Sequence, residues 1–429
     1  MSQFRKQLLS KISSHQAKVA VIGLGYVGLP LAVEFARAGF NTIGIDVSAH
    51  KVKSVNAGRS YIGDVPGKIL SQLVKKRKLR ATAKFDVLRE CDAVLICVPT
   101  PLAKTHAPDL SYIVSAAKEI VKYVHGGMLI VLESTTYPGT TEEIIVPQVV
   151  INGFTVGRDV FVAFSPERID PGRKDLLFKD IPKIIGGTTT RCLEIAQELY
   201  RNVSDHLVPV SSAAAAEMAK LLENTFRAVN IALVNEVLIM CDKLDLDAWE
   251  VIEAAATKPY GFMKFTPGPG IGGHCIPLDP HYLSWKLRTL DYHARFIQLA
   301  EEINAGMPSY WVSKVAEELN ERRKTFRGSR VLVLGVTYKP DIDDVRESPA
   351  LDIIELLEKR GARVAFNDPF VNSLKAAGLK TPFVELTNKT LKESDCVVIV
   401  TDHSAYDWNL VRSQASLIVD CRNALGRTR

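Results

Sequence analysis

The stretch that decides the fold is "KVAVIGLGYVGLPLAVEFARAGFNTIGIDV", residues 18–47. "KVAVI" is a short apolar run bounded by a glycine, the pattern of a strand buried on both faces. "LPLAVEFARAG" then carries helical periodicity and is closed by Gly39, and "NTIGIDV" is a second strand. Gly23, Gly25 and Gly28 make GxGxxG directly between the first strand and the helix. The first glycine permits the tight turn, the second lets a pyrophosphate approach the backbone, and the third lets helix and strand pack closely. The unpaired N–H groups of the helix N-terminus face the phosphates. A lone GxGxxG is weak evidence, but here the second strand ends at Asp46, 18 residues past Gly28, where a carboxylate takes ribose hydroxyls. Val47 and Ser48 follow without an arginine, which favours NAD over its phosphorylated form.

Working outward, "DAVLICVPT" and "MLIVLESTT" are further apolar runs that end in polar residues, and helical patterns separate them. The last hundred or so residues repeat the plan in "SRVLVLGV", "SPALDIIELLEKRG", "ARVAFNDP", "DCVVIVTDH" and "LIVDCRN". The second copy has one glycine, Gly335, where the first has three, so a different ligand is expected there. Between them "SSAAAAEMAKLLENTFRAVNIALVNEVLIMCDKL" reads as one long helix capped by Ser211 or Ser212. Its circumference is mostly apolar from Leu221 to Met240, which suits a spine between domains, between subunits, or both. The expected fold is α/β, with two Rossmann-like doubly wound parallel-sheet domains joined by a long central helix. The expected domains are residues 1–208, 209–318 and 319–429.

Composition narrows the class. At 429 residues, 47% hydrophobic and 24% charged, the chain reads as a soluble, cytoplasmic, multidomain globular protein. Neither a secretory leader nor a membrane span is expected, because the N-terminus lacks an apolar core and Val19–Val33 is broken by glycines and Pro30. A net charge of +6 suits anionic ligands without selecting one. The basic run "VKKRKLR", Val74–Arg80, reads as a solvated helix end and not as a nucleic-acid contact. Seven scattered cysteines, with neither CxxC nor zinc-like spacing, predict free thiols and no metal.

One thiol has an unusual setting. Cys275 lies in "PGPGIGGHCIPLDP", residues 267–280, with Asp279 four residues on. In such a loop a substrate can approach the sulfur closely and backbone N–H groups can stabilise an oxyanion. Beside a nicotinamide, a thiol attacking an aldehyde gives a thiohemiacetal, then a thioester, then an acid. The bland alternative is an incidental cysteine in a turn. On the central helix Lys220 and Asn224 share a face, with Glu217 on the same stripe, and the pair suits hydrogen bonding to a developing alkoxide, although a solvated lysine is the ordinary case. Thr135 and Glu167 end apolar strands, where open α/β sheets place ligand-binding groups, unless they are plain caps.

"IGLGYVGLPLA", "ESTTYPGTT", "SPERIDPG", "EMAKLLENTF", "GPGIGGHCIPLDP" and "LGVTYKPDIDDVRESPA" together resemble the nucleotide-sugar dehydrogenase family, in family order and over nearly the whole chain. The resemblance implies an NAD domain, a dimerising central helix and a C-terminal domain for UDP. It gives Cys275 the role of nucleophile, and Lys220 and Asn224 that of the alkoxide-stabilising pair. Asp279 orients water, while Thr135 and Glu167 hold water and assist thioester hydrolysis. Cofactor contacts are implied at Gly23, Gly25, Tyr26, Val27, Gly28, Asp46, Thr100, Thr135 and Arg346. Substrate contacts are implied at Glu167, Arg168, Lys220, Asn224, Phe265, Gly272, Lys339 and Arg422. Pro171 stands where glucose enzymes of the family carry a second glutamate, and His274 where they often carry serine. Both features, with "GPGIGGHCIPLDPHYLSWK", resemble the branch acting on N-acetylated UDP-hexosamines, UDP-N-acetylglucosamine first and the mannosamine epimer or UDP-glucose as alternatives. The expected reaction is a four-electron oxidation using two NAD, in a homodimer or higher oligomer that serves polysaccharide synthesis. A single-step hydroxyacid dehydrogenase and a non-catalytic NAD-binding protein remain the rivals.

Overall fold

In the computed structural model, residues 2–103, 107–168, 178–273 and 275–426 are described. They divide into two compact units, Met1–Glu223 with His281–Asp291, and Asn224–Pro280 with Tyr292–Arg429.

The first unit is built on β1 (Lys18–Ile22), β2 (Asn41–Ile45), β3 (Leu79–Thr82), β4 (Ala93–Ile96), β5 (Leu129–Leu132), β6 (Phe161–Phe164), β7 (Lys183–Gly187) and β8 (Leu207–Val210), in the order β3-β2-β1-β4-β5-β6-β7-β8. Its helices are α1 (Gln3–Ser13), α2 (Gly28–Arg37), α3 (Ala49–Asn56), α4 (Gly67–Lys75), α5 (Ser111–Val121), α6 (Val146–Ile151) and α7 (Thr190–Tyr200). Alternate residues of each strand feed opposite cores. Val19, Val21, Leu95 and Val131 pack with α1, α2 and α7, while Ala20, Ile22, Val94 and Ile130 pack with α5 and α6. This two-sided burial is why the strands read as continuous apolar runs. Pairing is parallel except between β6 and β7, so β7 and β8 run against the first six strands, a reversal the sequence reading did not foresee.

Register then positions the ligand edge. Ile22 lies opposite Ile45 and Ile96, and Ile96 opposite Leu132. The next residue of each strand, Asp46, Gly23, Cys97 and Glu133, therefore falls in one row at the carboxyl edge, where such sheets hold ligands. The basic run behaves as a helix end: α4 stops at Lys75, Arg77 turns through φ 56°, and Lys78 Nζ donates to Gly39 O at 2.6 Å.

The long helix α8 (Ala213–Lys243) starts where Ser212 Oγ accepts from Ala215 N at 3.1 Å, as the serine pair predicts. It contributes to both units, as does α10 (Asp279–Arg288), with α9 (Ala248–Ala256) lying between them in sequence. Along α8, Met218, Leu222, Phe226, Leu233 and Met240 are exposed, an apolar stripe that the described residues leave uncovered.

The second unit contains α11 (Arg295–Glu321), β9 (Arg330–Leu334), α12 (Pro349–Lys359), β10 (Arg363–Asn367), α13 (Asn388–Glu393), β11 (Cys396–Ile399), α14 (Trp408–Gln414) and β12 (Ile418–Asp420). Its sheet is parallel throughout, in the order β10-β9-β11-β12, so the repeated plan is present. Among the described residues no helix is long and apolar enough to cross a membrane.

Candidate active site

At the first glycine turn, the three glycines differ as their assigned jobs require. A Cβ on Gly23 (φ 91°) would lie 2.3 Å from Cys97 O, and one on Gly28 would lie 1.8 Å from Gly23 O, whereas one on Gly25 meets nothing within 4 Å. The outer glycines are demanded by the fold, and the middle one faces open space, as an approaching pyrophosphate needs. Val27 precedes α2 without a side-chain cap, and Tyr26 beside it is exposed. Asp46 is buried and accepts from Leu24 N at 2.8 Å, Ser48 N at 2.8 Å and Lys51 Nζ at 3.2 Å, so its carboxylate is fixed at the edge of the turn. Lys51 is a cation that sequence reading passed over. The residues fit NAD, with Asp46 for ribose and the turn for pyrophosphate. Thr100, buried after β4, belongs to this unit too.

Next along the edge is a buried charged cluster. Lys183 Nζ donates to Glu133 Oε2 at 2.7 Å and to Glu167 Oε2 at 3.2 Å, and Tyr200 Oη donates to Glu133 Oε1. Burial pushes the Glu133 carboxyl up to about 7, with Lys183 pulling the other way. Burial opposes the Lys183 ammonium, but the attraction of Glu133 and Glu167 outweighs it and the net shift is upward. Burial also raises the Cys97 thiol and the Tyr200 phenol, which stay protonated. Glu167 thus comes to a site in the ionic company of a lysine and a glutamate that sequence reasoning missed. The one available signal was a charged residue beginning or ending an apolar strand, "LES" and "PKII". Arg168 N donates to Glu167 Oε1 at 2.7 Å, and its guanidinium pairs with Glu223 at 2.6 Å. Thr135 is half-buried on the loop after β5.

That loop is tied to α8 by Glu217. Its fully buried carboxylate accepts from Gly139 N at 2.5 Å, Thr141 N at 2.9 Å and Thr141 Oγ1 at 2.7 Å. Burial raises its pKa against the pull of those bonds. Lys220, one turn beyond on α8, is also buried.

In the second unit Cys275 is the exposed cysteine and the others of the chain are buried. Its loop is anchored at several points. Gly268 N donates to Asn235 Oδ1 at 2.9 Å, Trp311 Nε1 donates to Gly268 O at 3.1 Å, and Gly273 N donates to Arg346 O at 3.0 Å. A Cβ on Gly272 would lie 2.5 Å from Tyr338 Cβ, so the loop packs flush against that segment. Cys275 O accepts from Asp279 N at 2.8 Å, and Asp279 Oδ2 in turn accepts from Asn224 Nδ2 at 2.5 Å. Residues 55 apart in sequence are thereby joined, with Asn224 and Asp279 both buried. Phe265 meets Phe226 edge-on at 5.8 Å. Arg346 is exposed and pairs with Asp344 at 2.6 Å. Lys339 Nζ lies 6.0 Å from the Tyr338 ring centre. Arg422 Nε donates to Val400 O at 3.1 Å, and burial lowers its pKa against the pull of Asp402. Pro171 and His274 lie outside the described residues.

The second Rossmann-like copy repeats the first turn and then departs from it. A Cβ on Gly335 (φ 79°) would lie 2.3 Å from Thr401 O, the clash that Gly23 makes with Cys97 O. Asp368 accepts from Val336 N at 2.7 Å, as Asp46 does from Leu24 N. Asp368, however, is also bonded by buried His403 Nε2 at 2.9 Å. With the acid taken by a histidine, and without the second and third glycines, this copy lacks what a dinucleotide needs.

Comparison with known proteins agrees with this division. Descriptions of the UDP-glucose/GDP-mannose dehydrogenase family match at residues 17–204 (NAD binding domain), 214–306 (central domain) and 332–427 (UDP binding domain). "Protein CapL" of Staphylococcus aureus is 38% identical over 406 residues, 94% of this chain and 93% of that one. A UDP-N-acetyl-D-glucosamine 6-dehydrogenase of Pseudomonas aeruginosa is 37% identical over 358 residues, 83% of each. The solved structure of a UDP-D-ManNAc dehydrogenase from Pyrococcus horikoshii is 33% identical, covers 96% of both chains and superposes with a TM-score of 0.87.

Proposed function

Because this chain belongs to the UDP-glucose/GDP-mannose dehydrogenase family, an NAD-dependent one, we propose that it oxidises the sixth carbon of a UDP-N-acetylhexosamine twice, from alcohol to carboxylate. UDP-N-acetylglucosamine is the preferred sugar in this reading. The mannosamine epimer is the second reading, favoured by the likeness to the Pyrococcus horikoshii enzyme. NAD, when bound, accepts the hydride in both oxidations.

The observation that carries the proposal is the setting of Cys275, an exposed thiol on an anchored glycine–proline loop whose backbone is bonded to Asp279. Its thiolate adds to the aldehyde carbon, which keeps the aldehyde from escaping and leaves a thiohemiacetal at the right oxidation level for the second step. Lys220 and Asn224 donate hydrogen bonds to the developing alkoxide. Asp279 orients Asn224 and water. Thr135 holds the hydrolytic water, and Glu167 accepts its proton. Gly23, Gly25, Gly28 and Asp46 hold the cofactor with Tyr26, Val27, Thr100 and Arg346. Arg168, Phe265, Gly272, Lys339 and Arg422 contact the nucleotide sugar. Residues 1–208, 209–318 and 319–429 serve as cofactor, central and UDP domains. The uncovered stripe on α8 is the surface through which two copies pair, and the dimer works in the cytoplasm to supply uronic acids for polysaccharide.

The test is a panel of UDP-glucose and the UDP-N-acetylated gluco, galacto and manno sugars, followed by NADH absorbance. Two NADH per sugar with a uronic acid product are expected. One NADH per sugar with free aldehyde would refute the scheme.

A further inference from the structure

Glu133, Lys183 and Tyr200 take no part in the chemistry just described, yet they are buried together at the carboxyl edge of the sheet. Lys183 Nζ bridges two carboxylates, Glu133 at 2.7 Å and Glu167 at 3.2 Å. Tyr200 holds the far oxygen of Glu133, which leaves Oε2 aimed at the lysine. The acids come from the ends of adjacent strands β5 and β6, and the lysine opens the reversed strand β7. The reversal of β7 is thus what brings an ammonium to an edge otherwise made of strand C-termini.

We propose that Lys183, itself held by Glu133 and Tyr200, is a positioning residue for thioester hydrolysis that keeps Glu167 ionised and aimed at the attacking water. The inference rests on the reading of Glu167 as the group that assists that hydrolysis. Two carboxylates meeting in a buried site without a cation do not both stay ionised, and a protonated Glu167 cannot accept a proton. With Lys183 between them the cation pairs with both, and Glu167 remains a base. Among the described residues, the titratable groups facing the pair are Glu133, Tyr200 and Cys97, with Arg168 adjacent in the chain, and the phenol and thiol stay neutral. In the step itself the water oxygen bonds to the thioester carbon while one water proton passes to Glu167. The C–S bond then breaks with its electron pair on Cys275 Sγ, and the sugar leaves as the carboxylic acid. Neither an oxidant nor a reductant is consumed. A stability role alone does not explain the cluster, because buried ion networks are often no more stabilising than apolar packing.

The test compares Lys183→Met, Lys183→Arg and Glu133→Gln in the full chain, with the best UDP-sugar of the panel in rapid mixing. Lys183→Met is expected to release two NADH per site in a burst and then turn over about 100-fold more slowly. Intact mass should show a uronyl thioester on Cys275, and Lys183→Arg should restore most of the slow phase. The acid limb of hydrolysis should move to higher pH in Lys183→Met and return in Lys183→Arg, while Glu133→Gln, which replaces a carboxyl that keeps its proton up to about pH 7, should leave it in place, a dependence on charge that a purely structural role does not produce. If Lys183→Met does not fold, judged by an NAD-dependent rise in Tm, Lys183→Gln is read in its place. Loss of burst and steady state together, or an acid limb unmoved when the Lys183 charge is removed, overturns the inference. Wild-type protein giving one NADH or none with every UDP-sugar fails the functional reading instead.

Discussion

Glu217→Ala tests how α8 is fastened to the loop that carries Thr135. The substitution leaves Gly139 N and Thr141 N without their acceptor in a buried setting, while the Thr141 hydroxyl can rotate to another partner. An unsatisfied buried donor costs about 1–3 kcal/mol, so two give about 2–6. Against this stands the relief of no longer burying a carboxylate, whose own pKa is raised by that burial. The balance is a loss of about 3 kcal/mol, which for a unit of this size lowers Tm by about 6–12 °C. Urea unfolding followed by fluorescence, with scanning calorimetry alongside, measures it. Glu217→Gln should lose a similar amount, because its NH2 replaces one acceptor with a donor facing an N–H. A Tm within 2 °C of wild type for both variants would show that the three bonds do not fasten helix to loop, and the reasoning fails.

Gly25→Ala should keep the wild-type Tm yet weaken NAD binding at least about 10-fold, read by calorimetric titration, because its Cβ meets only open space that the pyrophosphate needs; Gly28→Ala, whose Cβ would lie 1.8 Å from Gly23 O, should fail to fold properly. Equal Tm losses for the two would contradict the assignment of the turn. A double-mutant cycle on Asn224→Ala and Asp279→Ala should return a coupling of about 1.5–3 kcal/mol in urea unfolding, since a buried amide donates to a carboxylate at 2.5 Å, and a coupling under about 0.5 would show the bond is idle. Glu133 holds a proton in the folded state up to about pH 7 that the unfolded chain has lost, so its contribution makes stability fall as pH rises from 4.5 to 7. Glu133→Gln should flatten that fall by about 1–3 kcal/mol, measured by urea unfolding at pH 5, 6 and 7; an unchanged slope refutes the burial argument. The upward shift of Lys183 acts above its ordinary 10.5 and leaves this window alone.

The legible part of the molecule is the part in which one local pattern carries the whole instruction. "KVAVIGLGYVG" states a strand, a turn and a helix start in consecutive residues, and β1, Gly23 and α2 follow it. The placement of Gly23 and Asp46 at one edge could be read because spacing alone brings them there once two parallel strands pair in register. The segment around Cys275 could be read as a loop from its glycines and prolines, and its thiol is exposed. What the sequence hid are pairings between distant segments. Asn224 with Asp279, and Glu133 with Lys183, depend on tertiary packing that no periodicity encodes. The antiparallel β6–β7 step was hidden for the same reason, since β7 is apolar in the way a parallel strand is.

The two Rossmann-like copies explain why one fold yields two kinds of binding site. Both use a left-handed glycine against the next strand's carbonyl, Gly23 on Cys97 and Gly335 on Thr401, and both place an acid one residue past the second strand, Asp46 and Asp368. In the first copy the acid meets a surface lysine, Lys51, at 3.2 Å, and the helix follows the glycine turn at once. In the second copy His403 fills that place from inside the fold, and it also meets Thr337 Oγ1 at 3.1 Å and accepts from Asp341 N at 3.0 Å. The acid there is spent on shaping the segment that carries Lys339, and α12 does not begin until Pro349. A turn freed from gripping a pyrophosphate at a helix N-terminus can instead present a long loop with a lysine on it. That is the physical difference between a copy that holds a dinucleotide and one whose family description is UDP binding.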